Sequence, residues 1–194
     1  MDRREVSGWQ GGKVATTGIV LQYDTRDNVY NSSKGIWVEG KWMTSSNFVG
    51  SEYSFDKYRL EFRGFSSIGS KHVIGVNALL LHGTGNLPFT HMAMIGGNRR
   101  MRGYYEGRFR DNNMLQAQVE YRVNVWRRFG AVAFLATGKV SPELQDLRDQ
   151  AAHYSGGLGL RYMLDVEKKI NIRLDYAQGE GGSSGWYVTF GEAF

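Results

Sequence analysis

Cysteine is absent from the 194-residue chain. That excludes disulfides and thiolate metal centres, and it fits an oxidising compartment as well as chance depletion in a short chain. Proline is scarce, with Pro88 and Pro142 the only two. No run of about 18 apolar residues exists to make a transmembrane helix, and nothing forces a helix of useful length. A transmembrane β-barrel escapes that test, because it alternates lipid-facing apolar with lumen-facing polar residues. A mean hydropathy of −0.42 with 22% charged residues therefore suits a soluble β-protein and such a barrel alike. An apolar segment is also missing behind Met1-Asp2-Arg3-Arg4-Glu5, so no signal peptide is read there, and an exported protein would be a trimmed mature chain or a fragment. Glycine (26 residues) and aromatics (13%) are abundant, the composition of one β-rich domain. The net charge of +5 does not point to nucleic acid, since the basic residues are spread over the chain rather than gathered in a stripe.

Period-2 alternation dominates the pattern. Leu115, Ala117, Val119, Tyr121, Val123 and Val125 fall on one face, opposite Gln116, Gln118, Glu120, Arg122 and Asn124. Tyr58, Leu60 and Phe62 oppose Arg59, Glu61 and Arg63; Ile170, Ile172, Leu174 and Tyr176 oppose Asn171, Arg173 and Asp175. About nine strands are predicted, near 14–24, 35–45, 54–66, 71–83, 113–126, 129–140, 152–164, 169–179 and 185–194. Each has the roughly 9–11 residues of a tilted membrane strand rather than the ~5–6 common in globular sheets. Short connections (66–70, 126–129, 165–168) alternate with long ones (84–112, 140–153), the asymmetry of outer-membrane barrels. The polar face would make a poor core for a small soluble barrel, since unpaired buried charges cost several kcal/mol each. Facing a lumen, the same residues are unremarkable. Trp37, Trp42, Trp126, Trp186 and Tyr187 near strand ends suit interfacial girdles.

One stretch breaks the alternation. Gly96 to Asp111 carries four glycines, seven ionisable side chains and the pair Tyr104-Tyr105 inside a loop of nearly thirty residues, and loops that long are usually functional or disordered. Leu87-Pro88-Phe89 leading to Gly96-Gly97, then Met101-Arg102-Gly103-Tyr104 and Gly107-Arg108-Phe109-Arg110-Asp111, resembles the sixth extracellular loop of the BamA/TamA-type superfamily, the bacterial surface antigen family. Glu120-Tyr121-Arg122, the Gly-rich Tyr154 to Leu164 and Ile172 to Ala177 resemble the strands that follow it. Asp24-Thr25-Arg26-Asp27 resembles the turn that opens the second half of that barrel.

The resemblance implies an all-β fold: an antiparallel transmembrane β-barrel, 1–194 forming one domain of about 8–9 strands, the C-terminal half of a sixteen-stranded type. Residues 84–112 would be an extracellular loop folded into the lumen by its tip, Arg102, Gly103 and Tyr104. Tyr187, Phe190, Gly191 and Phe194 would belong to the terminal strand signal by which such barrels are recognised for insertion. A lumenal guanidinium keeps its charge and needs carboxylates; Glu120, on the inward face of the next strand, is the first choice. The family's second acid, in a Phe-x-Asp-x-Gly pattern, is replaced by Ala136 in Phe134-Leu135-Ala136-Thr137-Gly138, so Asp175 is the alternative partner.

Catalytic and metal chemistry finds little footing. Gly181-Gly182-Ser183-Ser184-Gly185 matches G-x-S-x-G, but that motif needs a strand-to-helix turn, and here Ser and Gly read as turn formers. His72, His82, His91 and His153 have no metal-ligand spacing. No cofactor is expected. The resemblance implies the outer membrane of a diderm bacterium and a role in inserting or transporting proteins there. The alternatives are a reduced member acting as a structural barrel or pore, or a barrel hydrolase using His82 and Asp111. Implied partners are outer-membrane lipid and other β-barrel proteins, as clients or as strands completing the wall, together with copies of the chain itself. An eight-stranded barrel is filled by its own side chains, so a lumenal loop of this size points to a fragment or to a wall completed by other strands.

Overall fold

The computed structural model describes residues 6–194. Nine antiparallel strands lie in one sheet, each beside its neighbour in sequence: β1 (Thr17–Asp24), β2 (Gly35–Ser45), β3 (Phe55–Ile68), β4 (His72–Gly85), β7 (Asn113–Trp126), β8 (Phe129–Ser141), β9 (His153–Asp165), β10 (Ile170–Gly179) and β11 (Ser184–Phe190). Two three-residue strands, β5 (Ala93–Ile95) and β6 (Phe109–Asp111), pair with each other inside the long loop. They are too short to show a period, which is why sequence alone reads that loop as irregular. The sheet is open, with β1 and β11 at its edges.

Alternation sorts the side chains by face. Leu60, Leu135, Leu158, Leu160, Trp186, Val188 and Phe190 stand exposed on the convex face, far more contiguous apolar surface than a protein in water tolerates. The concave face buries Glu61, Asn77, Gln116, Gln118, Glu120, Arg122, Arg161, Arg173 and Asp175. Nearer the long-loop end the same face is apolar, where Leu79, Met114 and Ala136 pack with Ala93, Ile95, Met101 and Tyr104 of the loop. The loop therefore lies in the trough rather than over it.

The last strand is shorter than the alternation predicts. Gly191, at φ 76°, turns the chain inward, and Glu192, Ala193 and Phe194 are buried on the concave side. Parity supplies the reason: a continued strand would leave Glu192 on the face of Trp186, Val188 and Phe190. Turned inward, its carboxylate lies 2.9 Å from Arg161 Nε and accepts from Asn171 Nδ2 at 2.6 Å. Phe194 stacks on Phe65, and its carbonyl oxygen accepts from Arg122 at 3.1 Å.

Asp27 organises the turn between β1 and β2. Its carboxylate accepts from the Ser33 and Lys34 amides at 2.7 and 3.0 Å and from the Ser33 hydroxyl at 2.6 Å. Burial pushes the carboxyl up, but these bonds and the Lys169 charge outweigh it and hold the group down to about 2. A depressed folded value means the contribution is present above the unfolded value and is lost as pH falls through the folded one. On acidification from about pH 5 to about pH 2, the Ser33 and Lys34 amides should exchange hydrogen faster relative to strand amides, after correction for intrinsic rates. Asp27→Asn should abolish that pH dependence; a retained profile would show another group to be responsible.

Candidate functional site

Strand register assembles the site. Arg122, Val132, Gly159, Asp175 and Tyr187 share one cross-strand row on the concave face, and Glu120 and Phe134 are paired in the row beside it. The loop tip descends onto these rows. Arg102 is 1% exposed, and Glu120 and Asp175 are fully buried. Arg102 Nη1 donates to Asp175 Oδ2 at 2.6 Å, Nη2 pairs with Glu120 Oε1, and the guanidinium lies 3.5 Å from the centre of the Phe134 ring.

Both carboxylates are shared with cations of the wall. Glu120 Oε2 is 2.9 Å from Arg122, and Asp175 Oδ1 is 2.5 Å from Arg161. The planar fork of arginine suits this bridging, since each guanidinium can serve two acceptors. Ala136, standing where an acid would extend the network, joins the apolar cluster beneath Met101 and Tyr104. Counter-charge comes from Asp175 instead, and the β8 position two residues earlier offers an aromatic face.

The other tip residues are held by the last strands. Gly103 has φ 105°, and a Cβ there would meet the backbone of Gln178 and Gly179, so no other residue fits without displacing β10. Its amide donates to the Tyr187 hydroxyl at 2.9 Å, and its carbonyl accepts from Ser183 Oγ at 2.6 Å. The Tyr104 hydroxyl donates to the Tyr154 carbonyl at 2.8 Å and accepts from the Glu180 amide at 2.7 Å. Upstream, Arg173 donates to the Asn98 carbonyl at 2.5 Å and its Nε to Thr189 of β11, while Arg100 reaches Glu61 of β3 at 3.2 Å.

Arg102, Gly103, Tyr104, Glu120 and Asp175 are thus gathered in one place. Tyr187 joins them rather than facing outward with Phe190, whereas Phe194 lies apart, across the trough against Phe65. Ser183, read from sequence as a turn former, bonds the tip. Phe134 offers its ring face to Arg102, and Arg173 bonds the loop upstream of the tip at the Asn98 carbonyl; sequence singled out neither as a site residue. Parity was the available signal for Tyr187 and Arg173: each alternates with outward apolar residues, and an inward Tyr hydroxyl or guanidinium requires a partner. His82 pairs with Asn113 at 2.5 Å, and Asp111 accepts from the Asn112 amide. Among the described residues no group of three or more His, Asp or Glu converges as a metal set.

Removing Arg102 would leave two carboxylates buried with reduced compensation, and breaking a buried pair in this way costs about 3–5 kcal/mol. Arg102→Ala should therefore lower the temperature at which the folded band is lost in a heat-modifiability gel. Arg108→Ala, at an exposed loop position, should shift it little. Equal shifts for the two variants would contradict a special role for Arg102.

The family model for the Omp85 superfamily domain matches residues 12–194. No curated protein matches the chain significantly. Among solved structures, the crystal structure of BamA from Haemophilus ducreyi lacking POTRA domains 1–3 is similar, with a TM-score of 0.73 and 14% identity over 91% of this chain. The match takes in 42% of that structure's chain, so this chain spans less than half the length of that one.

Proposed function

The chain belongs to the Omp85 superfamily, and from that premise we propose that it forms part of the wall of a transmembrane β-barrel in the bacterial outer membrane and serves the insertion or translocation of other β-barrel proteins there. It has no catalytic chemistry of its own. Its convex face contacts membrane lipid, and its long loop enters from the extracellular side. No helix among the described residues is long and apolar enough to cross a membrane; crossing is by strands.

The observation that carries the reading is the treatment of β11. Its inner face is bonded to the loop tip through Tyr187, while its outer edge pairs with no strand among the described residues. An edge strand presents unpaired amides and carbonyls that template another strand, and inside a bilayer those groups have no water to satisfy them. A client strand would add there, on a wall held in place from inside by the Arg102 network.

Liposomes carrying the protein should fold a denatured outer-membrane β-barrel client several-fold faster than empty liposomes, and Arg102→Ala should lose most of that gain. A heat-modifiable, well-inserted protein that leaves client folding at the empty-liposome rate would defeat the assembly reading. Steady ion conductance by that same preparation in planar bilayers would favour a pore.

A further inference from the structure

At the short-turn end, inside the wall, lies a cleft of about 280 Å³. Arg122 and Arg161 line it from the inner face, Lys71, Arg128 and Lys169 from the turns, and Glu192 from the inward-turned tail. Five cations thus face one carboxylate, and that carboxylate is already engaged by Arg161 Nε and Asn171 Nδ2. Among the described residues, the only other acid in ion-pair range of the turn cations is Asp27, 3.7 Å from Lys169. Glu120 and Asp175, just above, are occupied by Arg102.

The two arginines are not fully used. Arg122 is 6% and Arg161 5% exposed, yet Arg122 Nη1 and Arg161 Nη2 have no hydrogen-bond partner among the described residues. A guanidinium cannot lose its proton, and a buried donor left unmade carries its full desolvation penalty. The cleft therefore combines a cationic rim, room for a ligand and two wall arginines whose unpartnered Nη atoms lie beneath its surface.

We propose that this cleft is a binding site for an acidic segment of another polypeptide, which inserts a carboxylate beside Glu192. The chain shows the chemistry on the same wall, where Arg161 and Asn171 already hold one carboxylate. The cleft opens on the concave side, away from the convex apolar face where lipid lies, so a polypeptide reaches it more directly than a lipid headgroup. Lys71 and Arg128 are exposed and draw an acidic partner in, and Arg122 and Arg161 supply the directed bonds once their guanidinium groups turn toward it. The site stands independently of whether the barrel assembles proteins; its occupant is any acidic chain reaching the short-turn end.

The test uses the full protein in detergent and a short labelled poly-glutamate peptide, read by fluorescence anisotropy. Saturable binding is expected, weakening steeply with salt as exposed charges are screened. Combined Lys71→Glu, Arg128→Glu and Lys169→Glu should weaken it about tenfold or more with heat-modifiability unchanged. Poly-lysine should not bind, and inorganic phosphate at equal charge should compete poorly. Absent saturable binding, or equal affinity of the charge-reversed protein, would overturn the proposal. Displacement of the peptide by phosphate, or by phosphatidylglycerol nanodiscs but not phosphatidylcholine ones, would reassign the cleft to phosphate or to lipid and equally overturn it.

Discussion

A guanidinium carries its charge into whatever site it occupies, and that of Arg102 is 1% exposed. A buried cation must be met by counter-charge on several sides, and here that charge comes from Glu120 on β7 and Asp175 on β10. Those two carboxylates in turn fix Arg122 and Arg161. Two well-separated strands and a loop are thus held in one register by a group that has no neutral form to retreat to. Attraction between buried charges barely repays their desolvation, so the network contributes definition of geometry more than net stability.

The wall can keep so many charges inward because the loop completes them. Without the loop, Glu61, Glu120 and Asp175 would keep only cations of the wall, Arg59 and Arg63 for the first and Arg122 and Arg161 for the other two. With it, Arg100 reaches Glu61, Arg102 reaches the other two acids, and Arg173 finds the Asn98 carbonyl. Met101 and Tyr104, flanking the tip arginine, pack into the apolar part of the same trough. Polar and apolar residues of the loop thus each meet a matching zone of the wall, which favours one seating over others.

Most of the sheet was legible because alternation is a strong signal wherever a wall divides two environments. The predicted 35–45 and 113–126 coincide with β2 and β7. The signal failed at Gly191, where one backbone angle overrides a pattern that continues on paper to Phe194. In the site, Arg102 could be named only through the motif that resembles the family's loop tip, and Glu120 and Asp175 because a buried guanidinium demands carboxylates and parity says which residues face inward. Ser183 and Phe134 could not, since a turn serine and a strand phenylalanine are ordinary until the fold sets them beside Gly103 and Arg102.

The sheet has nine strands, and nine is odd. Neighbours alternate in direction, so β1 and β11 run the same way. A wall in which every neighbour is antiparallel closes only with an even number of strands, so the strands that complete this one must come as an odd set. Two copies of the sheet related by an axis along the membrane normal would bring β1 against β11 in parallel at both junctions, with the slanted and slightly weaker bonding of that arrangement. The polarity of two edge strands thus separates the ways in which this barrel can be made whole.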